Sequence, residues 1–88
     1  MTKNAIERLV RKLADHPNNA RFSDLARICD WYFGRPRQTG SSHRVYRTPW
    51  VGDPRINIQN DRSRAKAYQV KQVILAIEKL ERKNEEEE

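Results

Sequence analysis

Gly40-Ser41-Ser42-His43-Arg44-Val45-Tyr46-Arg47-Thr48-Pro49 is the stretch whose reading decides the fold. From Val45 to Thr48 apolar and polar residues take turns, with Val45 on one side and Tyr46 on the other, the period-2 pattern of a half-buried strand. A Gly-Ser turn leads into it and Pro49 ends it. The same strand carries His43, one of the chain's two histidines, at its mouth. Backbone pairing would fix a histidine there while leaving it near solvent, and imidazole is the side chain that ordinarily titrates near neutrality. Arg44 and Arg47 add guanidinium forks suited to phosphate. A histidine flanked by arginines on a strand points to RNA chemistry.

Working outward, Arg35-Pro36-Arg37-Gln38 reads as a short first strand, and its proline suggests an edge. Thr39-Gly40-Ser41 turns it into the second strand, about residues 42–48. Trp50-Val51-Gly52-Asp53-Pro54 form a loop. Arg55 to Gln59 is a third strand, with Ile56 and Ile58 inward and Arg55, Asn57 and Gln59 outward. Three short strands with tight connections predict an antiparallel meander. Residues 60–66 read as a basic loop ahead of a helix over 67–83, where Val70, Val73, Ile74, Ile77 and Leu80 keep an apolar stripe.

Two helices precede the strands. Thr2 or Asn4 can cap the first, which runs to about Asp15 with Ile6, Leu9, Val10 and Leu13 on one face. Pro17 ends it, leaving His16 as a favourable charge at a helix C-terminus. Ser23 is the expected cap of the second, Asp24 to about Phe33, and Gly34 its stop. Its aromatics, including Trp31 and Tyr32, stand at core spacing. The expected fold class is α+β, in the order α-α-β-β-β-α: a three-stranded antiparallel sheet with helices packed on one face.

The totals narrow the function. At 88 residues the chain holds one domain. Charged residues make up 34% and hydrophobic ones 36%, and no apolar run approaches the roughly 18 residues of a membrane span. The N-terminus lacks the apolar core of a secretory signal. The lone Cys29 excludes an internal disulfide and fits a reducing cytoplasm, and its apolar helical setting makes it a core residue. Net charge is +6, yet Glu85 to Glu88 mask the body, where eighteen basic residues face eight acidic ones, a net of +10. Such a domain expects a polyanion or an acidic protein as partner.

The Gly-Ser-Ser-His-Arg-Val-Tyr-Arg-Thr-Pro stretch, followed by Ile56-Asn57-Ile58-Gln59 and by Ala65-Lys66-Ala67-Tyr68-Gln69-Val70-Lys71-Gln72-Val73, resembles the HicA toxins of bacterial toxin–antitoxin pairs. The resemblance covers about Arg21 to Leu80. It implies a small fold like a double-stranded-RNA-binding domain (dsRBD), cleavage of mRNA with a strand histidine, and inhibition by a HicB-like antitoxin. On this basis residues 1–17 are an extension helix, 18–83 the HicA-like domain and 84–88 an acidic disordered tail. One departure stands out. Ser42-His43-Arg44-Val45 puts Arg44 where the family often has a second histidine, while Gly40-Ser41-Ser42-His43 matches the Gly-Ser-x-His pattern of other members.

Cleavage of RNA by its own 2′-hydroxyl needs a proton removed there and a proton given to the leaving 5′-oxygen. It also needs cations at the charged phosphorane. The expected catalytic residue is His43, and the expected phosphate-binding residues are Arg44, Arg47, Arg55, Arg62, Arg64 and Lys66. No cofactor is implied, nor a metal, because His, Cys, Asp and Glu do not cluster at ligand spacing. Two other readings stay open. In the strand register His43 shares a face with Val45 and can be a structural histidine, which makes the chain a non-catalytic RNA-binding module. The basic face can instead receive an acidic protein.

Overall fold

The structure is a computed structural model and describes residues 2–39, 42–52 and 54–87. Gly40 and Ser41, the centre of the expected turn, and Asp53 lie outside the described residues. Helix α1 (Lys3–Asp15) starts where Thr2 Oγ1 accepts the Ala5 N–H at 3.2 Å, satisfying one orphan donor of the first turn. It stops at His16, and Pro17 opens a single 3₁₀ turn, Pro17–Asn19.

Helix α2 (Phe22–Phe33) begins earlier than the sequence suggests. Ser23 is not its cap; Arg21 takes the cap position and offers no side-chain bond there. Tertiary backbone bonds hold this end instead, with the Phe22 N–H donating to the Ser63 carbonyl at 3.0 Å and the Ala65 N–H to that of Ala20 at 2.9 Å. Gly34 closes the helix at φ +80°, a backbone conformation glycine adopts without a Cβ clash.

Four antiparallel strands follow in spatial order, β1 (Gln38–Thr39), β2 (His43–Tyr46), β3 (Ile56–Asp61) and β4 (Arg64–Ala65), and helix α3 (Ala67–Glu87) completes the chain. The meander is the expected one with its outer parts shifted. The first strand is Gln38–Thr39 rather than residues 35–38, consistent with Pro36, which has no N–H to give a ladder. Within the stretch expected as a loop, Asp61 pairs with Arg64 as a tight hairpin. Its two turn residues, Arg62 at φ +54° and Ser63 at φ +71°, take the geometry that hairpin turns usually reserve for Asn-Gly. The last helix does not stop at Lys83 but continues through Glu87.

Register sorts the side chains onto two faces. Arg44 pairs with Ile58 and Tyr46 with Ile56 on the covered face, and His43 with Gln59 and Val45 with Asn57 on the open one. Tyr46 and Ile58 are fully buried among Leu25, Ile28 and Cys29 of α2 and Val70, Val73 and Ile77 of α3. Ile58→Ala would cost about 2–5 kcal/mol, a large share of the roughly 5–15 kcal/mol that stabilises a domain. Helix α1 lies behind, against α2 and α3, and adds Leu13 to the core. Trp31, expected at core spacing, is instead 46% exposed. Beyond β4 the sheet edge is closed by a side chain: Gln69 Oε1 accepts the Gln59 N–H at 2.7 Å. Among the described residues no helix is long and apolar enough to cross a membrane.

Candidate functional site

A groove of about 420 Å³ opens between α2 and the start of β2, and Phe22, Arg27, Asp30, His43, Arg44 and Asn60 are among the residues that line it. His43 is exposed at the first position of β2. Sharing a face with Val45 does not bury it, because that face is the open one and Tyr46 turns inward. Ser42 Oγ lies 3.1 Å from His43 Nδ1. A hydroxyl both donates and accepts, so this one contact serves either imidazole tautomer and leaves Nε2 to meet a reacting group.

Arg44 points the other way, onto the covered face. Its guanidinium stands 3.6 Å from Asp30 Oδ2 and 5.8 Å over the Phe22 ring. Tyr46 donates to the other oxygen, Asp30 Oδ1, at 2.6 Å. Burial first, and then the bond to Asp30, pushes the Tyr46 phenol well above the ordinary tyrosine range. The Arg44 pKa is raised too, chiefly by Tyr46 and further by Asp30. Arg44 is thus a charged group held in a fixed place. Burial also pushes the neighbouring Cys29 thiol up to about 12, so at neutral pH it is an inert core sulfur.

The other expected phosphate ligands scatter. Arg62 sits in the hairpin turn and Arg64 on β4, where its guanidinium donates to Asn19 Oδ1. Lys66 follows β4 and its carbonyl accepts from Gln69 and Val70 at the start of α3. Arg47 and Arg55 flank the opposite end of β2 and β3 and are exposed, each with an interaction partner. The structure therefore joins His43 and Arg44 at one groove and leaves the remaining five cations outside its lining. Arg27 and Asp30 were not anticipated. Their signal was faint: Ala26, Arg27 and Asp30 border the apolar stripe of α2, where a polar residue reads as solvent-facing until the strand opposite is known.

Among the described residues no group of three or more His, Cys, Asp or Glu stands where it could hold a metal ion. Compared with protein-family models, with curated proteins and with solved structures, the chain matches none.

Proposed function

We propose that this chain is a metal-independent endoribonuclease that cleaves mRNA, the HicA-like toxin of a type II toxin–antitoxin pair. It would act in the cytoplasm and be held in check by a HicB-like antitoxin. The observation that carries the reading is an exposed imidazole, His43, at the rim of a groove containing Arg27 and Arg44. His43 takes the proton of the RNA 2′-hydroxyl as that oxygen attacks the adjacent phosphorus. It then returns the proton to the departing 5′-oxygen, so the bond broken is P–O5′ and the products carry a cyclic phosphate and a free hydroxyl. The guanidinium groups lower the energy of the charged phosphorane. Asp30 holds Arg44 in place beneath the strand.

A second reading is favoured by the uncovered sheet face. There His43 and Gln59 form a cross-strand pair, with Asn57 two residues along β3. Such a polar face could bind RNA by hydrogen bonds without cutting it, as a dsRBD-like module. Growth of cells expressing the wild-type chain or His43→Ala, with total RNA run on a gel, separates the two. The catalytic reading expects arrest and RNA loss from the wild type alone. Equal toxicity from both chains, or none from either, contradicts it.

A further inference from the structure

Away from the groove, the loop that follows β2 forms a second basic pocket with α3. Trp50 meets the edge of Phe33 with 6.5 Å between ring centroids, and the Lys79 ammonium stands 4.4 Å from the Trp50 centroid. Arg82 and Lys83 complete the lining of a pocket of about 340 Å³. Lys83 Nζ reaches the Pro49 carbonyl at 3.5 Å.

Positions 79, 82 and 83 are spaced three and four apart, which stacks three positive charges on one side of a helix, where like charges repel. Among the described residues none of the three has a carboxylate within ion-pair distance. Lys79 is partly compensated by the indole face and Lys83 by one neutral carbonyl. In addition, the Trp50 indole N–H is enclosed and has no acceptor among the described residues, a rare state for a buried donor. Donors converge here, and among the described residues no carboxylate meets them. Lysine side chains are long and flexible, so an arriving oxyanion can draw them around itself and reach the indole N–H.

We propose that Trp50, Lys79, Arg82 and Lys83 form a phosphodiester-binding site that holds the RNA chain at a distance from His43. The anionic ligand follows from the pocket; the choice of RNA rests on the reading of the His43 groove. His43 and Trp50 lie seven residues apart, which limits the span between them to at most about 23 Å. A continuous polyanion spans that distance and collects charge from both places, as single-stranded nucleic acid does on basic tracks. A short acidic segment of a protein would satisfy the pocket alone and gain nothing from its relation to the groove.

The test measures binding of a short fluorescent single-stranded RNA by anisotropy, in a His43→Ala background that keeps the RNA intact. Arg82→Gln and Lys83→Gln are compared singly and together across about 50 to 200 mM salt, with circular dichroism confirming the fold. The double variant is expected to bind roughly tenfold more weakly, and its log–log salt slope to flatten by about 0.7 per cation removed. Trp50→Phe keeps an aromatic ring but loses the N–H, and is expected to weaken binding severalfold with the slope unchanged. Unaltered affinity and slope in the folded double variant overturn the proposal. So does a result in which only binding of a poly-glutamate peptide is lost, which gives the pocket to an acidic protein. If the wild type binds this RNA through these residues yet cuts none, the nuclease reading fails and the pocket assignment stands.

Discussion

Tyr46 donates its phenolic hydrogen to Asp30 Oδ1 over 2.6 Å, while Asp30 Oδ2 stands 3.6 Å from Arg44 Nη1. One carboxylate on α2 thereby fixes two side chains of β2 that point to the covered face. A one-residue slip of β2 would break both contacts and turn His43 inward. The pair locks the register that exposes His43.

Removing the phenol tests this. Tyr46→Phe leaves the ring packing but frees an Asp30 oxygen, and a hydrogen bond to a charged group is worth about 1.5–3 kcal/mol. Asp30 is half-exposed (49%), so water recovers part of that, and we expect a loss of about 1 kcal/mol in urea unfolding. Asp30→Ala should cost a similar amount, and the double variant less than the sum, since the two share one bond. Additive losses would mean that the contact contributes nothing.

Alkaline pH should weaken the fold in two stages. Cys29 and Tyr46 are neutral when protonated, and burial raises the pKa of both, Cys29 from 9.0 to about 12. The unfolded chain therefore gives up these protons first. The stability involved is intact below about pH 9 and drains away as pH climbs toward the folded-state values. Cys29→Ala should flatten the early part of the decline, by up to about 1.4 kcal/mol per pH unit, in urea midpoints measured above about pH 9. Parallel pH profiles for wild type and variant would contradict this.

The β3–β4 hairpin turn carries removable strain. Ser63 sits at φ +71°, where a Cβ is unfavourable by about 1–2 kcal/mol. Its N–H bond to Asn60 Oδ1 and its carbonyl bond to Phe22 are made by the backbone and survive substitution. Ser63→Gly should therefore raise stability by about 0.5–1 kcal/mol, after the extra freedom of glycine in the unfolded chain is subtracted. Thermal unfolding checks it; a lower midpoint would show that Ser63 is unstrained.

Gln69→Leu should open the sheet edge. The substitution leaves the partly buried Gln59 N–H without its acceptor. Since a fully buried unpaired donor costs about 1–3 kcal/mol, the loss should fall near the low end, about 1 kcal/mol. Hydrogen exchange at the Gln59 amide should accelerate at the same time. Unchanged exchange there would mean that water serves the amide as well as Gln69 does.

Where a short stretch carried its own periodicity, the fold was legible in the sequence. Ile56 and Ile58 alternate inward and Val70, Val73 and Ile77 recur at helical spacing; Ile56 is partly buried and the other four are buried. Thr2 and Gly34 mark helix ends by local chemistry alone. What escaped depends on distant partners. Arg62-Ser63 lacks any residue that favours positive φ, so the hairpin shows only once β3 and β4 pair. The start of α2 is held by bonds to Ser63 and Ala65, which no window around Ser23 contains. At the candidate site His43 and Arg44 were legible because they are adjacent on one strand. Asp30 and Arg27 were not, since a helix contributes them from residues well before it.

Cleavage of a purified single-stranded RNA by the purified chain, in the presence of EDTA, tests the central claim most directly. Wild type should convert the RNA to fragments ending in a cyclic phosphate, and folded His43→Ala should leave it intact while binding it as tightly. RNA left whole by a wild-type chain that binds it, or cut equally by His43→Ala, would contradict the account.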